Sequence, residues 1–248
     1  MKLRTKIKLL SLAIVGFGGL ALAGTSAAAC PTTPEAWTTS VAIGGGAVAI
    51  APTGLDGSGC KLSSELGSSL ASQASVIDTS PQSEPRYRFQ FLVDADGLGS
   101  LSGLDSVSIF GINSSATYGG HKQLLVVGLV PASGGGERLV FSYACDNGTT
   151  GRCLAASSVN LTAGVNRIEG DLTVGAAGSF RYWINAPAGT AEPAPSGSIT
   201  NINNAGWVGA DIASLGLGSP APNFAATHAG QAVYFDTFDS RRSTYIGH

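Results

Sequence analysis

The sequence predicts an antiparallel all-β sandwich of jelly-roll type, and three observations carry that prediction. Short segments of alternating apolar and polar residues recur from Arg86 onward, each bounded by Gly, Ser, Asn or Pro. Only 12% of the residues are Asp, Glu, Lys or Arg, while 35 are glycine, a composition that suits short strands and tight turns. No convincing long helix lies between the strand segments, so packing two sheets face to face is what buries their apolar sides.

Residues 1–29 read as an export signal. Lys2, Arg4, Lys6 and Lys8 form a basic patch, an apolar run follows from Leu9 to Ala23, and Ala27 and Ala29 supply the small residues a signal peptidase accepts. An uncleaved membrane anchor is the competing reading, but the apolar run is short and glycine-rich for a span of about 20 residues. Cleavage before Cys30 yields a secreted or periplasmic chain, 30–248, expected to form one β-sandwich domain. A second alternative is a lipid anchor on Cys30. Against it, Ala27 stands where a lipoprotein signal carries a large apolar residue, and lipidation would leave an odd number of thiols.

Four of the fourteen basic residues fall in the signal, so residues 30–248 carry ten bases against sixteen acids, a formal charge of −6. Such a chain lacks the electrostatic footprint of a nucleic-acid or anionic-membrane binder. Cys30, Cys60, Cys145 and Cys153 form an even set in an exported chain, which implies two disulfides and leaves three connectivities. The local plan pairs Cys145 with Cys153 across an Asn-Gly hairpin tip and Cys30 with Cys60 at the mature N-terminus. No metal-binding cysteine motif occurs, and the three histidines are scattered.

Along the chain, an apolar patch surrounds Gly44-Gly45-Gly46, and Leu62–Leu70 is expected to form a short helix with Ser63, Ser64 and Glu65 in its first turn. Segment 86–93 is expected as a half-buried strand, with Tyr87, Phe89, Phe91 and Val93 inward and Arg88 and Gln90 outward. Strands follow at 107–112, 123–130 and 138–144, the last with Leu139, Phe141 and Tyr143 on one face. A hairpin joins 166–174 to 180–185 through Gly175–Gly178, and a proline-rich loop, 187–196, precedes Ile199. Segments 211–217 and 232–238 close the series, with Val233 and Phe235 expected opposite Tyr234, Asp236 and Phe238. Eight to ten strands result.

Leu161–Glu169, the glycine turn and Ser179–Asn185 resemble the central hairpin of laminin-G-like, concanavalin A-like domains. Val233–Arg242 is similar to their closing strand, and Ser240–Gly247 resembles the tail of exported bacterial proteins of this sandwich type. The resemblance covers 86–247 and implies a concanavalin A-like sandwich that binds carbohydrate or a cell-surface partner. Calcium is the ion it implies. However, Val165-Asn166 and Asn185-Ala186-Pro187 replace the family's aromatic-His pair and Asp-Gly turn. Asp94-Ala95-Asp96-Gly97 resembles the opening of a calcium loop, but Asp105 stands where the bidentate glutamate belongs, so an acidic turn and no cofactor are expected.

No catalytic set emerges. Glu169 and Asp171 share a strand face beside Arg167 and are expected to be solvated. Arg86, Tyr87, Arg88 and Gln90 have the residue types of a polysaccharide lyase, but alternation divides them between two faces. Trp183 and Trp207 are the candidate ligand-binding residues, as aromatic platforms for sugar rings. The leading expectation is a non-enzymatic binding domain. The alternative is a glycan-active hydrolase or lyase on the same fold.

Overall fold

The computed structural model describes residues 30–31, 34, 36–57, 59–146, 153–189 and 191–247. The expected signal peptide, residues 1–29, lies outside the described residues, as does the tip of the 145–153 hairpin. Among the described residues fourteen strands follow one another: β1 Thr39–Ile43, β2 Ala47–Pro52, β3 Cys60–Glu65, β4 Gln73–Asp78, β5 Arg86–Asp94, β6 Val107–Tyr118 and β7 His121–Pro131. Then come β8 Glu137–Cys145, β9 Cys153–Asn160, β10 Asn166–Thr173, β11 Gly178–Ile184, β12 Gly197–Ile202, β13 Ile212–Gly218 and β14 Ala232–Arg241. One short helix, α1 Pro222–Thr227, precedes β14. No helix among the described residues is long and apolar enough to cross a membrane.

The strands form two seven-stranded antiparallel sheets. Sheet A has the order β1-β4-β13-β6-β7-β8-β9, and sheet B has the order β12-β11-β10-β5-β14-β3-β2. The glycine triplet 44–46 marks a crossing between them, because β1 pairs with β4 in sheet A while β2 pairs with β3 in sheet B. Gly44 and Gly45 take φ of 62° and 84°, left-handed values that favour glycine, and a Cβ on Gly44 would strike the Ser72 backbone at 2.8 Å.

The core lies between the sheets and is built from their inward alternates. Tyr87, Phe89, Phe91 and Val93 are wholly buried, as are Leu139, Phe141 and Tyr143. Aromatic rings meet across the gap: Phe89 of sheet B lies 4.2 Å from Phe110 of sheet A, and Tyr182 of sheet B lies 4.2 Å from Phe141 of sheet A. Gly170 makes room for this stack, since a Cβ there would lie 2.3 Å from Phe89 Cζ.

Four expectations are corrected. Leu62–Leu70 does not form a helix. Its first half is β3, in which Leu62, Ser63 and Ser64 are all buried between two neighbouring strands. The i, i+4 spacing of Leu62, Leu66 and Leu70 is helical, but sheet pairing outweighs local propensity in serine-rich segments. Ser64 Oγ donates to Ala74 O at 2.6 Å and accepts from Leu217 N at 2.9 Å, which ties β3 to sheet A. The strand β5 is buried on both faces, not half-buried, with Arg88 0% and Gln90 1% exposed. Phe238 packs against Phe110 and Trp37, on the core side with Val233 and Phe235. A bulge between Asp236 and Asp239, with Thr237 at φ 46°, adds the residue that reverses the alternation. Finally, β1–β4 and β9 raise the strand count, because their serine- and alanine-rich sequences carry little hydrophobic signal.

The disulfides are Cys30–Cys60 and Cys145–Cys153, as the local plan expects. Cys145 and Cys153 sit opposite each other at the end of the β8–β9 ladder. The first bridge spans 30 residues and the second 8. Chain entropy then assigns about 3.6 kcal/mol to the longer loop and about 2.5 kcal/mol to the shorter. Urea unfolding of the Cys30→Ser/Cys60→Ser variant is expected to show a loss about 1 kcal/mol greater than that of Cys145→Ser/Cys153→Ser. The reverse order would contradict the loop-length argument.

Candidate functional site

Two tryptophans and several charged side chains are the residues that the sequence singles out, and the structure buries both tryptophans and Arg88, Glu169, Asp171 and Asp105, while Arg86 is half-buried and Asp96 exposed. Trp183 is 1% exposed and Trp207 is 0% exposed. Trp183 Nε1 donates to Pro193 O at 2.9 Å, which pins the proline-rich loop onto β11. Trp207 closes a 3₁₀ turn, donates to His121 O at 3.1 Å and packs against Tyr118. Neither indole offers a ring face to a sugar in this structure. The amides around Trp207 bond internally as well: Asn204 Oδ1 accepts from Gly175 N at 2.8 Å, and its Nδ2 donates to Tyr143 Oη.

The outer face of sheet B carries the acids and arginines, and it is closed rather than solvated. Register sets Arg88 of β5 beside Asp171 of β10, and Asp171 beside Arg181 of β11. Glu169 and Asp171 are 3% and 2% exposed, which corrects their expected solvation. The tail covers Glu169, whose carboxylate accepts from Ile246 N at 3.0 Å and Gly247 N at 3.3 Å. The loop 185–196 brings Glu192 to Arg88 at 2.7 Å and to Arg181 at 2.9 Å. Arg86 holds Asp171 with two bonds of 2.9 Å, and Arg88 reaches Glu169 at 3.2 Å. Three guanidinium groups thus meet three carboxylates, and the Arg88 group lies against the rings of Trp183 and Tyr245. Burial pushes the Asp171 carboxyl up, but bonds from Arg86 and Arg181 and the Arg88 charge outweigh it and hold the group below its usual range.

The other titratable candidates are also committed. Tyr87 is inward, and burial pushes its phenol up to about 12. His228, at the C-terminus of α1, lies 3.2 Å from Asp105 and 3.1 Å from Leu98 O. Asp94 accepts from Asp96 N at 3.0 Å, and both oxygens of Asp96 accept from Gly164 N at 3.1 Å, so the acidic turn fastens two loops.

Two open concavities lie outside these clusters. A cleft of about 930 Å3 at one end of the sandwich is floored by Trp37, Leu62, Phe235 and Phe238. At its rim, Asp236 accepts from Leu55 N, Asp239 pairs with Arg241, and Asp78 accepts from Ser80.

The second concavity is a trough of about 460 Å3 across the outer face of sheet A. Register explains its shape. Ser214, Gly111, Val126, Ser142 and Ala156 are successive cross-strand neighbours from β13 to β9, and Gly218, Ser108, Gly128, Val140 and Ser158 make a parallel row. Of these, Ser214, Gly111, Val126, Ser142, Gly218 and Ser108 line the trough, mostly small side chains that leave the floor low, with Leu154 and Leu217 beside them. Amides rise at the sides: Asn113 faces Gln123 beyond the first row, and Gln73 stands beside Gly218 at the second. Gln73 Nε2 donates to Ser75 Oγ at 2.8 Å, and Ser108 Oγ donates to Gly218 O at 2.7 Å. Among the described residues, none that lines the trough has an ionisable side chain. What the trough can do chemically is exchange hydrogen bonds with a ligand rich in hydroxyl groups. No motif in the sequence signals it, because its residues are common in turns and its floor spans strands far apart in the chain.

No protein-family model and no curated protein sequence matches the chain. Solved structures do. An endo-β-1,4-glucuronan lyase from the fungus Trichoderma reesei superposes with TM-score 0.62 at 12% identity, covering 86% of this chain and 93% of the lyase. The cellulose-induced protein Cip1 gives 0.54 at 14% identity, covering 84% and 91%. The alginate lyase Aly36B gives 0.51 at 13% identity, covering 76% and 82%. At these identities the likeness is one of fold, and the chain is an antiparallel jelly-roll β-sandwich.

Proposed function

We propose that the protein is an exported glycan-recognising sandwich, of the concanavalin A-like and laminin-G-like kind, that holds a polysaccharide in the trough on sheet A. The observation that carries this reading is the trough itself: a low floor of Gly111, Gly218, Ser108, Ser142 and Ser214 with Val126, flanked by Asn113, Gln123 and Gln73. Amide and hydroxyl side chains donate and accept in equal measure, as sugar hydroxyls do. Affinity electrophoresis of residues 30–248 in gels containing polysaccharide tests it. The wild-type chain is expected to be retarded, and Ser142→Trp, which fills the floor, is expected to abolish the retardation. Leu104→Trp, in a loop elsewhere and 80% exposed in the parent, is expected to leave it unchanged. Equal retardation of all three chains would sink the trough as the site.

A second reading, a polysaccharide lyase, draws support from the fold shared with the glucuronan and alginate lyases. Both readings place a glycan on this chain and differ in turnover. A lyase needs a base to take the proton beside the uronate carboxyl and a group to stabilise the resulting charge. The trough's described lining supplies neither, which favours binding without cleavage. Ultraviolet absorbance of unsaturated products, followed during incubation with glucuronan and alginate, separates the two.

Export rests on residues 1–29 and is supported by the two disulfides, which belong to oxidising compartments. Cys30 is bonded to Cys60, so it has no thiol for a lipid, which favours a secreted or periplasmic chain over an anchored one. Mass spectrometry of the mature N-terminus is expected to find unmodified Cys30 as the first residue.

A further inference from the structure

We infer that the ligand of the trough is an uncharged polysaccharide and that uronate polymers are rejected. This inference rests on the trough being the glycan site. It adds a charge rule that sets this chain apart from the lyases whose fold it shares.

The rule follows from what a polymer chain would meet. Five inter-strand steps of about 4.8 Å separate β4 from β9, so the face they form is about 24 Å across, the scale of an oligosaccharide rather than a single sugar. A uronate polymer carries a carboxylate on every sugar and would bring several of them onto that surface. Each would lose water against Ser108, Ser142, Ser214 and the Asn113 and Gln123 amides, with no cationic partner among the described lining. A buried charge is tolerated when it is paired, and neutral amides replace only part of its hydration. Arg138 of β8 lies on this sheet but beside Val130 and Asn160, outside the trough lining, and Arg86, Arg88 and Arg181 lie on the other sheet, where Asp171, Glu169 and Glu192 already match them. Long-range forces act in the same sense, because a formal charge of −6 on residues 30–248 repels a polyanion instead of steering it in. An uncharged chain meets neither penalty.

The test measures affinity of residues 30–248 for two sets of probes at low ionic strength. Mixed-linkage β-glucan, glucomannan and laminarin are the neutral set, and alginate, glucuronan and polygalacturonate are the anionic set. At least one neutral polymer is expected to bind at least tenfold more tightly than any anionic one, and Ser142→Trp is expected to remove that binding. Ser142→Lys, which places one cation on the floor, is expected to raise alginate or glucuronan affinity at low salt, with the gain lost as salt is added. Anionic polymers binding as tightly as neutral ones, in a manner that Ser142→Trp abolishes, would overturn the charge rule and leave the glycan site standing. Absence of binding to either set would remove the glycan reading and this inference with it.

Discussion

Replacing Arg88 with alanine is expected to destabilise the protein by about 3–5 kcal/mol, the cost of breaking a buried ion pair from one side. Arg88 is fully buried, and Glu169, 4% exposed at its side chain, pairs with no other guanidinium among the described residues. Deleting Arg88 leaves the Glu169 carboxylate with the Ile246 and Gly247 amides as its partners among the described residues, and it frees Glu192 of one of two arginines. A cavity against Trp183 and Tyr245 adds to the loss. On a half-buried strand the same substitution would cost less than about 0.5 kcal/mol, so the measurement separates the closed face from a solvated one. Urea unfolding reads it. The paired variant Arg88→Met/Glu169→Gln, which removes both charges, is expected to recover more than half of the loss. Stability is also expected to fall in acid. The Asp171 pKa is held below the value of about 3.9 that an unfolded aspartate has, so its contribution is complete above that pH. It is lost as pH falls through the lowered folded value.

Phe89→Ala, one residue along and on the opposite face, is expected to cost a similar amount, about 3–5 kcal/mol. Phe89 touches both sheets: its ring stacks at 4.2 Å on Phe110, lies 6.4 Å from Phe180 and covers Gly170. Removing it opens a void that Gly170, with no side chain, cannot help to fill. Calorimetry or urea unfolding of Phe89→Ala beside Phe89→Leu checks this, with leucine expected to lose clearly less. A loss below about 1 kcal/mol would mean that the aromatic stack is not the centre of the core. Neighbouring residues of one strand are thus predicted to matter equally for opposite reasons, one through packing and the other through charge pairing.

That equality shows what the sequence could and could not convey. The inward set was legible because period two is a property of the strand alone: Phe89, Phe141, Ile168 and Phe180 all fall where alternation puts them. The outward set was not, because whether Arg88 and Asp171 meet water depends on residues 185–196 and 241–247, which lie far along the chain. Opposite charges in register on β5, β10 and β11 were a usable signal, but a solvated sheet face carries the same pattern. Phe238 was misplaced by the bulge at Thr237, which no alternation rule anticipates. The tryptophans were misjudged for a related reason: Trp183 does lie on the outer face, as parity requires, but the proline-rich loop folds over it.

The trough was the least legible feature, since serine and glycine announce turns in a sequence and become a continuous low floor only when several strands align them. The central claim is that a glycan lies along that floor, and amide-resolved NMR of residues 30–248 titrated with a bound neutral oligosaccharide tests it most directly. The side-chain NH2 signals of Gln73, Asn113 and Gln123 are expected to shift together with the backbone amides of Gly111 and Ser142. Shifts confined to the end cleft around Trp37 and Phe238, with the trough amides unmoved, would contradict the account.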